Sequence, residues 1–204
     1  MRSCTLKIIN ETLAKLDHYT LTRGVPMPAG ALQDEKGVTV KDAKGNVLPS
    51  EGKVLHWRVD GSVEWILLDV LLKLGGEEET TITVEPKRAA RRPAVTNPVV
   101  LREKGKMLTM SNGITELTVN RSGGSLIHRL IIDGKTLVDE STLVDLQVVD
   151  MGGKIHRASL SGAYDITVTH RNRLRSEIKL EGKHAARDKA TFMDFAMRFT
   201  LTAG

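Results

Sequence analysis

Apolar and polar residues alternate along most of this chain with a period of two, the pattern of strands buried on one face. The clearest case is Ala190–Thr202. There Met193, Phe195, Met197, Phe199 and Leu201 share one face, and Asp194, Ala196, Arg198 and Thr200 take the other. Val144, Leu146 and Val148 alternate in the same way with Asp145 and Gln147. The first half predicts strands over Thr5–Asn10, Tyr19–Arg23, Val38–Lys41, Val54–Val59, Ser62–Leu72 and Thr80–Glu85. The second half predicts them over Val99–Leu101, Met107–Met110, Thr115–Asn120, Leu126–Ile132, Thr142–Val149, Lys154–Leu160, Asp165–His170, Arg175–Glu181 and Ala190–Thr202. Between them stand turn signals: DAKGN, VDGS, RSGGS, IDGK and DMGGK. Only ETLAKLD (Glu11–Asp17) has helical spacing, and it is too short to shape the fold. The prediction is an all-β chain of barrel or sandwich type.

The alternation lapses once, at EPKRAARRPAVTNP, which holds Pro86, Pro93 and Pro98 with Lys87, Arg88, Arg91 and Arg92. This reads as a basic interdomain linker over 87–105, separating a domain at 1–86 from another at 106–204. The final strand is so apolar that it needs neighbours on both sides, since a bare edge invites aggregation. The expectation is therefore an N-terminal piece of a longer protein, with its second domain truncated. A complete protein whose last strand closes a sheet stays open as the other reading.

Composition narrows the partners. Hydrophobic residues are 40% of the 204 but aromatics only 3%, so the core must be aliphatic. The formal charge of +5 and pI near 9.4 permit an anionic partner without choosing one. Nucleic acid is disfavoured, because exposed stacking aromatics and a groove-reading helix are both missing from the pattern. An anionic sugar, or no ligand at all, is preferred to nucleic acid. The one cysteine, Cys4, excludes an intrachain disulfide and has no histidine near it to act as a base. The N-terminus lacks a long apolar run and no stretch approaches a membrane span, so the expectation is a cytoplasmic protein with no membrane partner. The six histidines are scattered, with none of the spacings of a zinc site. No nucleophile elbow, phosphate loop or calcium loop occurs, so no metal or cofactor is expected.

Two basic stretches are candidates for chemistry. HRNRLR (His170–Arg175) places Arg171, Arg173 and Arg175 at a hairpin tip, a candidate substrate-binding spot for an anion. GKHAARDK (Gly182–Lys189) holds Lys183, His184 and Arg187 before the last strand. If the two tips lay side by side, they would form a basic rim.

Both tryptophans of the chain fall within nine residues, in HWRVDGSVEWILLDV (His56–Val70). A two-residue type I′ turn at Asp60-Gly61 would set Trp57 against Glu64 and Trp65 against His56, with the indoles on opposite faces. A three-residue loop with Gly61 left-handed and a bulge would instead bring both indoles to one face. Either way at least one indole is expected in the core; sugar stacking would need an exposed, flat ring.

In order along the chain, RGVPMPAGAL (Arg23–Leu32), VKDAKGNVLPSE (Val40–Glu51) and WRVDGSVEWILLDV (Trp57–Val70) resemble the N-terminal domain of the exo-rhamnogalacturonan lyase and YetA-like family. The matching positions are Gly24, Val25, Pro26, Pro28, Gly30, Asp42, Gly45, Pro49, Trp57, Asp60, Gly61, Ser62 and Trp65. MSNGITELTV, LIIDGKTLV and the segment Lys179–Gly204 resemble the opening of that family's sandwich domain. The resemblance implies a small RIFT-type β-barrel, then a β-sandwich, then a large α/α toroid that this chain lacks. It implies β-elimination at galacturonate in acidic pectic oligosaccharides. That reaction needs a cation to neutralise the uronate carboxylate and a base for the C5 proton. Lys183, His184 and Arg187 are the candidates for those catalytic roles, and Trp57, Asp60, Gly61, Ser62 and Trp65 are family-marker residues that lock a hairpin. Without the toroid the chain is expected to be an inactive scaffold and part of a substrate cleft. The alternative is a non-enzymatic carbohydrate-binding or interaction module.

Overall fold

The computed structural model describes residues 3–89, 91 and 93–204; Arg92 of the basic linker lies outside the described residues. The chain is all-β, as its alternation predicts, and divides into two units: 1–98 together with 203–204, and 99–202.

The first unit holds β1 (Cys4–Ile9), β2 (Leu16–Pro26), β3 (Thr39–Asp42), β4 (Ser50–Trp57), β5 (Val63–Leu74) and β6 (Glu79–Glu85). They form two three-stranded antiparallel sheets, ordered β1-β6-β3 and β2-β5-β4. The alternate residues Ile66, Leu68, Val70, Leu72 and Leu74 of β5 point into one aliphatic core with Val25, Val40, Ile82 and Val84. Burying side chains of this size stabilises by about 1.5–3 kcal/mol each. The segment Glu11–Asp17 is not helical. Asn10 captures its backbone instead, its Nδ2 donating to Ala14 O at 2.9 Å and Gly75 O at 2.7 Å while its Oδ1 receives Thr12 N–H. Seven residues cannot offset helix nucleation against such a competitor.

The tryptophan hairpin takes the three-residue loop, but not the pairing of Trp57 with Trp65 expected from it. Arg58 N–H bonds Ser62 O at 2.8 Å and Gly61 N–H bonds Arg58 O at 3.0 Å, a three-residue loop with Gly61 left-handed at φ 79°. Trp57 therefore pairs with Val63, and a bulge at Glu64 then brings Trp65 opposite His56. Neither indole is in the core: Trp57 is 48% exposed and Trp65 43%. The irregular register turns Val63 and Ile66 of β5 into the core and leaves Trp65, between them, outside. Asp60, Gly61 and Ser62 do lock the hairpin. Asp60 Oδ1 accepts from Ser62 N–H and Oγ–H at 2.9 and 2.6 Å, which holds its carboxyl below the usual range. Gly30 N–H donates to Ser62 Oγ at 3.1 Å, and the Arg58 guanidinium reaches Met27 O at 2.7 Å. The two resembling motifs, Arg23–Leu32 and Trp57–Val70, are thus sewn together by hydrogen bonds.

The second unit opens with β7 (Val100–Lys104), taken from the stretch read as linker because Leu101 enters the core and the strand ladders onto β8. There follow β8 (Met107–Ser111), β9 (Thr115–Asn120), β10 (Arg129–Ile132) and β11 (Lys135–Val138), giving a five-stranded antiparallel sheet ordered β11-β10-β9-β8-β7. β11 escapes the pattern because three of its four residues are exposed. The other sheet is ordered β12 (Gln147–Val149), β13 (Ile155–Arg157), β15 (Arg175–Ala185), β14 (Asp165–Arg171), with β16 (Thr191–Thr202) also paired to β15. The predicted strands over Thr142–Val149 and Lys154–Leu160 shrink to β12 and β13, the latter passing into a 3-10 turn at Ala158–Leu160. The sheets enclose Leu108, Met110, Val119, Leu126, Ile166, Ile178 and Leu180, with Phe195, Met197, Phe199 and Leu201 of β16 packed against them. This is a sandwich core.

Candidate functional site

The two basic stretches lie at opposite ends of β15, which at about 3.3 Å per residue holds them roughly 30 Å apart. They do not form one rim.

At the first end the cations have partners within the protein. Arg171 donates to Leu101 O at 3.1 Å, and the Arg173 carbonyl receives Val99 N–H at 2.8 Å. Arg175, whose side chain is 12% exposed, pairs with Glu177 at 3.3 Å. Glu177 also accepts from Thr169 at 2.6 Å and Arg198 at 3.0 Å. The Thr169 hydrogen bond and the two guanidinium groups hold its carboxyl below the usual range.

At the other end Lys183, His184 and Arg187 diverge. Lys183 forms an exposed ion pair with Asp194 at 2.8 Å and lines a hollow of about 430 Å³ with Asp165 and Glu181. His184 is buried, Nδ1 donating to Met193 O at 3.1 Å, its ring edge-on to Phe195. Arg187 stands on the turn closed by Ala186 N–H to Ala190 O. It lines a separate cleft of about 630 Å³ with Leu143, Lys154, Ile155, Arg157, Ser159 and Leu160.

That cleft is built from three local devices. Asp150 organises the β12–β13 hairpin, Oδ1 accepting Gly152 and Lys154 N–H while Oδ2 bonds His156 Nε2 at 3.0 Å. The His156 bond leads the contacts that lower the Asp150 pKa. His156, buried and stacked on Phe192 at 4.8 Å, turns inward, so its neighbours Ile155 and Arg157 turn out to the cleft. Ala185 pairs with Arg157 across the ladder, which brings the Arg187 turn alongside. Asp145 then fixes Ser159, receiving its N–H at 2.9 Å and its hydroxyl at 2.6 Å.

The charges of the cleft are unequal in availability. Lys154 is tied to Asp188 at 2.7 Å, and that bond holds the Asp188 carboxyl below its usual range. Among the described residues no side-chain hydrogen bond or ion pair engages Arg157 or Arg187. Two guanidinium groups without an anion, one of them half-buried, suit a planar carboxylate, which each can grip through parallel N–H donors. Arg157 went unnoticed in sequence because it sits inside an ordinary strand; its outward position beside the inward His156 was the available signal. Among the described residues no three His, Cys, Asp or Glu side chains are placed to hold a metal ion.

Comparison with known proteins bears on this same unit. The model of the PcRGLX-like protein central beta sandwich domain matches residues 99–204, just over half of the chain. The chain belongs to the PcRGLX-like family. The match covers the whole two-sheet unit, cleft included, and makes that unit part of a rhamnogalacturonan-lyase-like, carbohydrate-active scaffold. No curated protein matches the chain.

Proposed function

We propose that this PcRGLX-like sandwich binds the carboxylate of a galacturonate residue in an acidic pectic oligosaccharide, with Arg157 and Arg187 as the gripping pair. The observation that carries the reading is the pair of unpartnered guanidinium groups in one cleft. Ser159, held by Asp145, is oriented to meet a sugar hydroxyl, and Leu143, Ile155 and Leu160 offer apolar wall to a sugar face. In this reading the first unit is the RIFT-type barrel of an exo-rhamnogalacturonan-lyase or YetA-like protein, supported by the ordered motif positions from Gly24 to Trp65. The role is recognition rather than bond cleavage. Lys183, His184 and Arg187 diverge, so this chain is expected to lack a base beside the two arginines. Titration with rhamnogalacturonan oligosaccharides in a calorimeter tests the proposal. Saturable heat that vanishes with reduced, carboxyl-free oligosaccharide supports it; equal heat from both refutes it. A rise in ultraviolet absorbance from an unsaturated product would overturn the non-catalytic assignment.

A further inference from the structure

Strand β16 lies along β15 and has no strand on its other side among the described residues. The direction of its backbone groups follows from β15. Lys183 N–H donates to Ser161 Oγ at 3.3 Å, and Arg175 O receives Asn172 N–H at 2.9 Å, both on the side away from β16. Odd-numbered residues of β15 therefore turn their amides away from β16, and even-numbered ones turn towards it. The register sets Ile178 against Phe199, Leu180 against Met197 and Gly182 against Phe195. Odd-numbered residues of β16 thus bond β15, while Asp194, Ala196, Arg198 and Thr200 present N–H and C=O to the open edge. All four of those side chains are exposed.

Such an edge asks for a partner. It is 12 residues long, has no proline and carries one acidic and one basic residue. Natural edges of this length are usually blocked by charge, proline or a covering element.

We propose that β16 pairs antiparallel with β16 of a second copy of this chain, about a two-fold axis through Ala196. This register joins outward-facing residues to outward-facing residues, as the hydrogen bonds require. It sets Asp194, which bonds Lys183 in its own chain, opposite Arg198 of the second copy, which bonds its own Glu177, and the reverse, so opposite charges face each other twice across the axis. Registers centred on Asp194 or Arg198 would set like charges against each other. On the inner face Phe195 meets Met197 of the other copy and Met193 meets Phe199, which extends the apolar row across the axis. Met193, 51% exposed in one copy, is covered by the pairing. The symmetry is closed and isologous, so the product is a dimer and not a fibre. This inference stands independently of the saccharide cleft.

Sedimentation of the 204-residue chain from micromolar to near-millimolar concentration tests it. The expected result is a reversible shift from 22.4 kDa to twice that mass. Ala196→Pro removes an outward amide and leaves the β15 ladder whole, so it should stay monomeric with an unchanged β-sheet circular dichroism spectrum. Asp194→Arg sets arginine against arginine and should also stay monomeric. The exchange Asp194→Arg with Arg198→Asp restores opposite charges across the axis and should dimerise again. If Ala196→Pro fails to fold, the two charge variants decide alone. A wild-type chain that remains monomeric, a dimer indifferent to Asp194→Arg, a double exchange that stays monomeric, or open-ended assembly would each overturn the proposal.

Discussion

The two ends of β15 carry similar charge and opposite circumstances. At the Arg175 end the guanidinium groups are engaged from within: Arg175 and Arg198 share the carboxylate of Glu177, and Arg171 donates to the Leu101 carbonyl. At the Ala185 end Arg157 and Arg187 face a cleft whose lining carboxylate, Asp188, is bonded to Lys154 and to neither arginine. Both stretches look basic in sequence. What separates them is whether the fold supplies the counter-charge, and that decides whether the arginines hold the protein together or remain available to a ligand.

The largest expected effect breaks this contrast at its available end. The double variant Arg157→Ala, Arg187→Ala removes both candidate grips. With charge-assisted hydrogen bonds contributing about 1.5–3 kcal/mol each, loss of both should lower affinity for a galacturonate oligosaccharide by roughly 100-fold or more. Calorimetric titration reads this directly, and the thermal midpoint should barely move. Arg171→Ala should do the reverse, leaving binding unchanged and lowering the midpoint. If Arg171→Ala weakens binding and the double variant does not, the assignment of the two ends is inverted.

Glu177→Gln sharpens the other end. It removes the charge that faces Arg175 and Arg198 and leaves a guanidinium that is only 12% exposed without its anion. A cost of about 1–3 kcal/mol is expected, or a fall of several degrees in the thermal midpoint, with saccharide binding intact. The effect also has a definite pH dependence. Glu177 titrates below its ordinary 4.5 in the folded chain. Its contribution is therefore complete above the unfolded value and is lost as pH falls through the folded one. Wild-type stability should decline on that acid limb more steeply than that of Glu177→Gln, as thermal melts across the acid range will read. Parallel pH profiles would show that Glu177 does not carry the difference.

Much of this was legible in the sequence, and the failures have physical causes. Strand positions followed from alternation wherever one face is buried, as in β16, where Phe195, Met197, Phe199 and Leu201 all pack inward. β11 failed because its exposed residues leave no alternation to read. The dipeptide Asp-Gly occurs at two hairpins with different outcomes. At Asp133-Gly134 both residues have positive φ, 50° and 71°, and Ile132 pairs with Lys135 across a two-residue turn. At Asp60-Gly61 the aspartate turns its carboxylate onto Ser62, only Gly61 is left-handed, and the loop lengthens by one. The local dipeptide cannot tell these apart, because side-chain bonds to residues beyond the turn decide. The cleft was half legible. Arg187 was visible in a basic turn, whereas Arg157 depends on a ladder contact with Ala185 that only the register reveals.

Lys183 gives the smallest expected effect and the finest test of the contrast. It lies in the same basic turn as Arg187 and shares its charge, but it has a counter-ion: Asp194 at 2.8 Å, with the two side chains 60% and 78% exposed. Exposed pairs of this kind contribute about 0–1 kcal/mol, since water and salt screen them and holding both side chains costs entropy. Lys183→Ala should therefore shift the thermal midpoint by no more than a degree or two and leave oligosaccharide affinity within about twofold of wild type. Arg187→Ala, four residues along, should cost about tenfold in affinity on its own. Equal losses from the two single variants would mean that sequence proximity matters more than the presence of a counter-ion. The hollow beside Lys183 would then have to be counted with the Arg157 cleft as one binding surface.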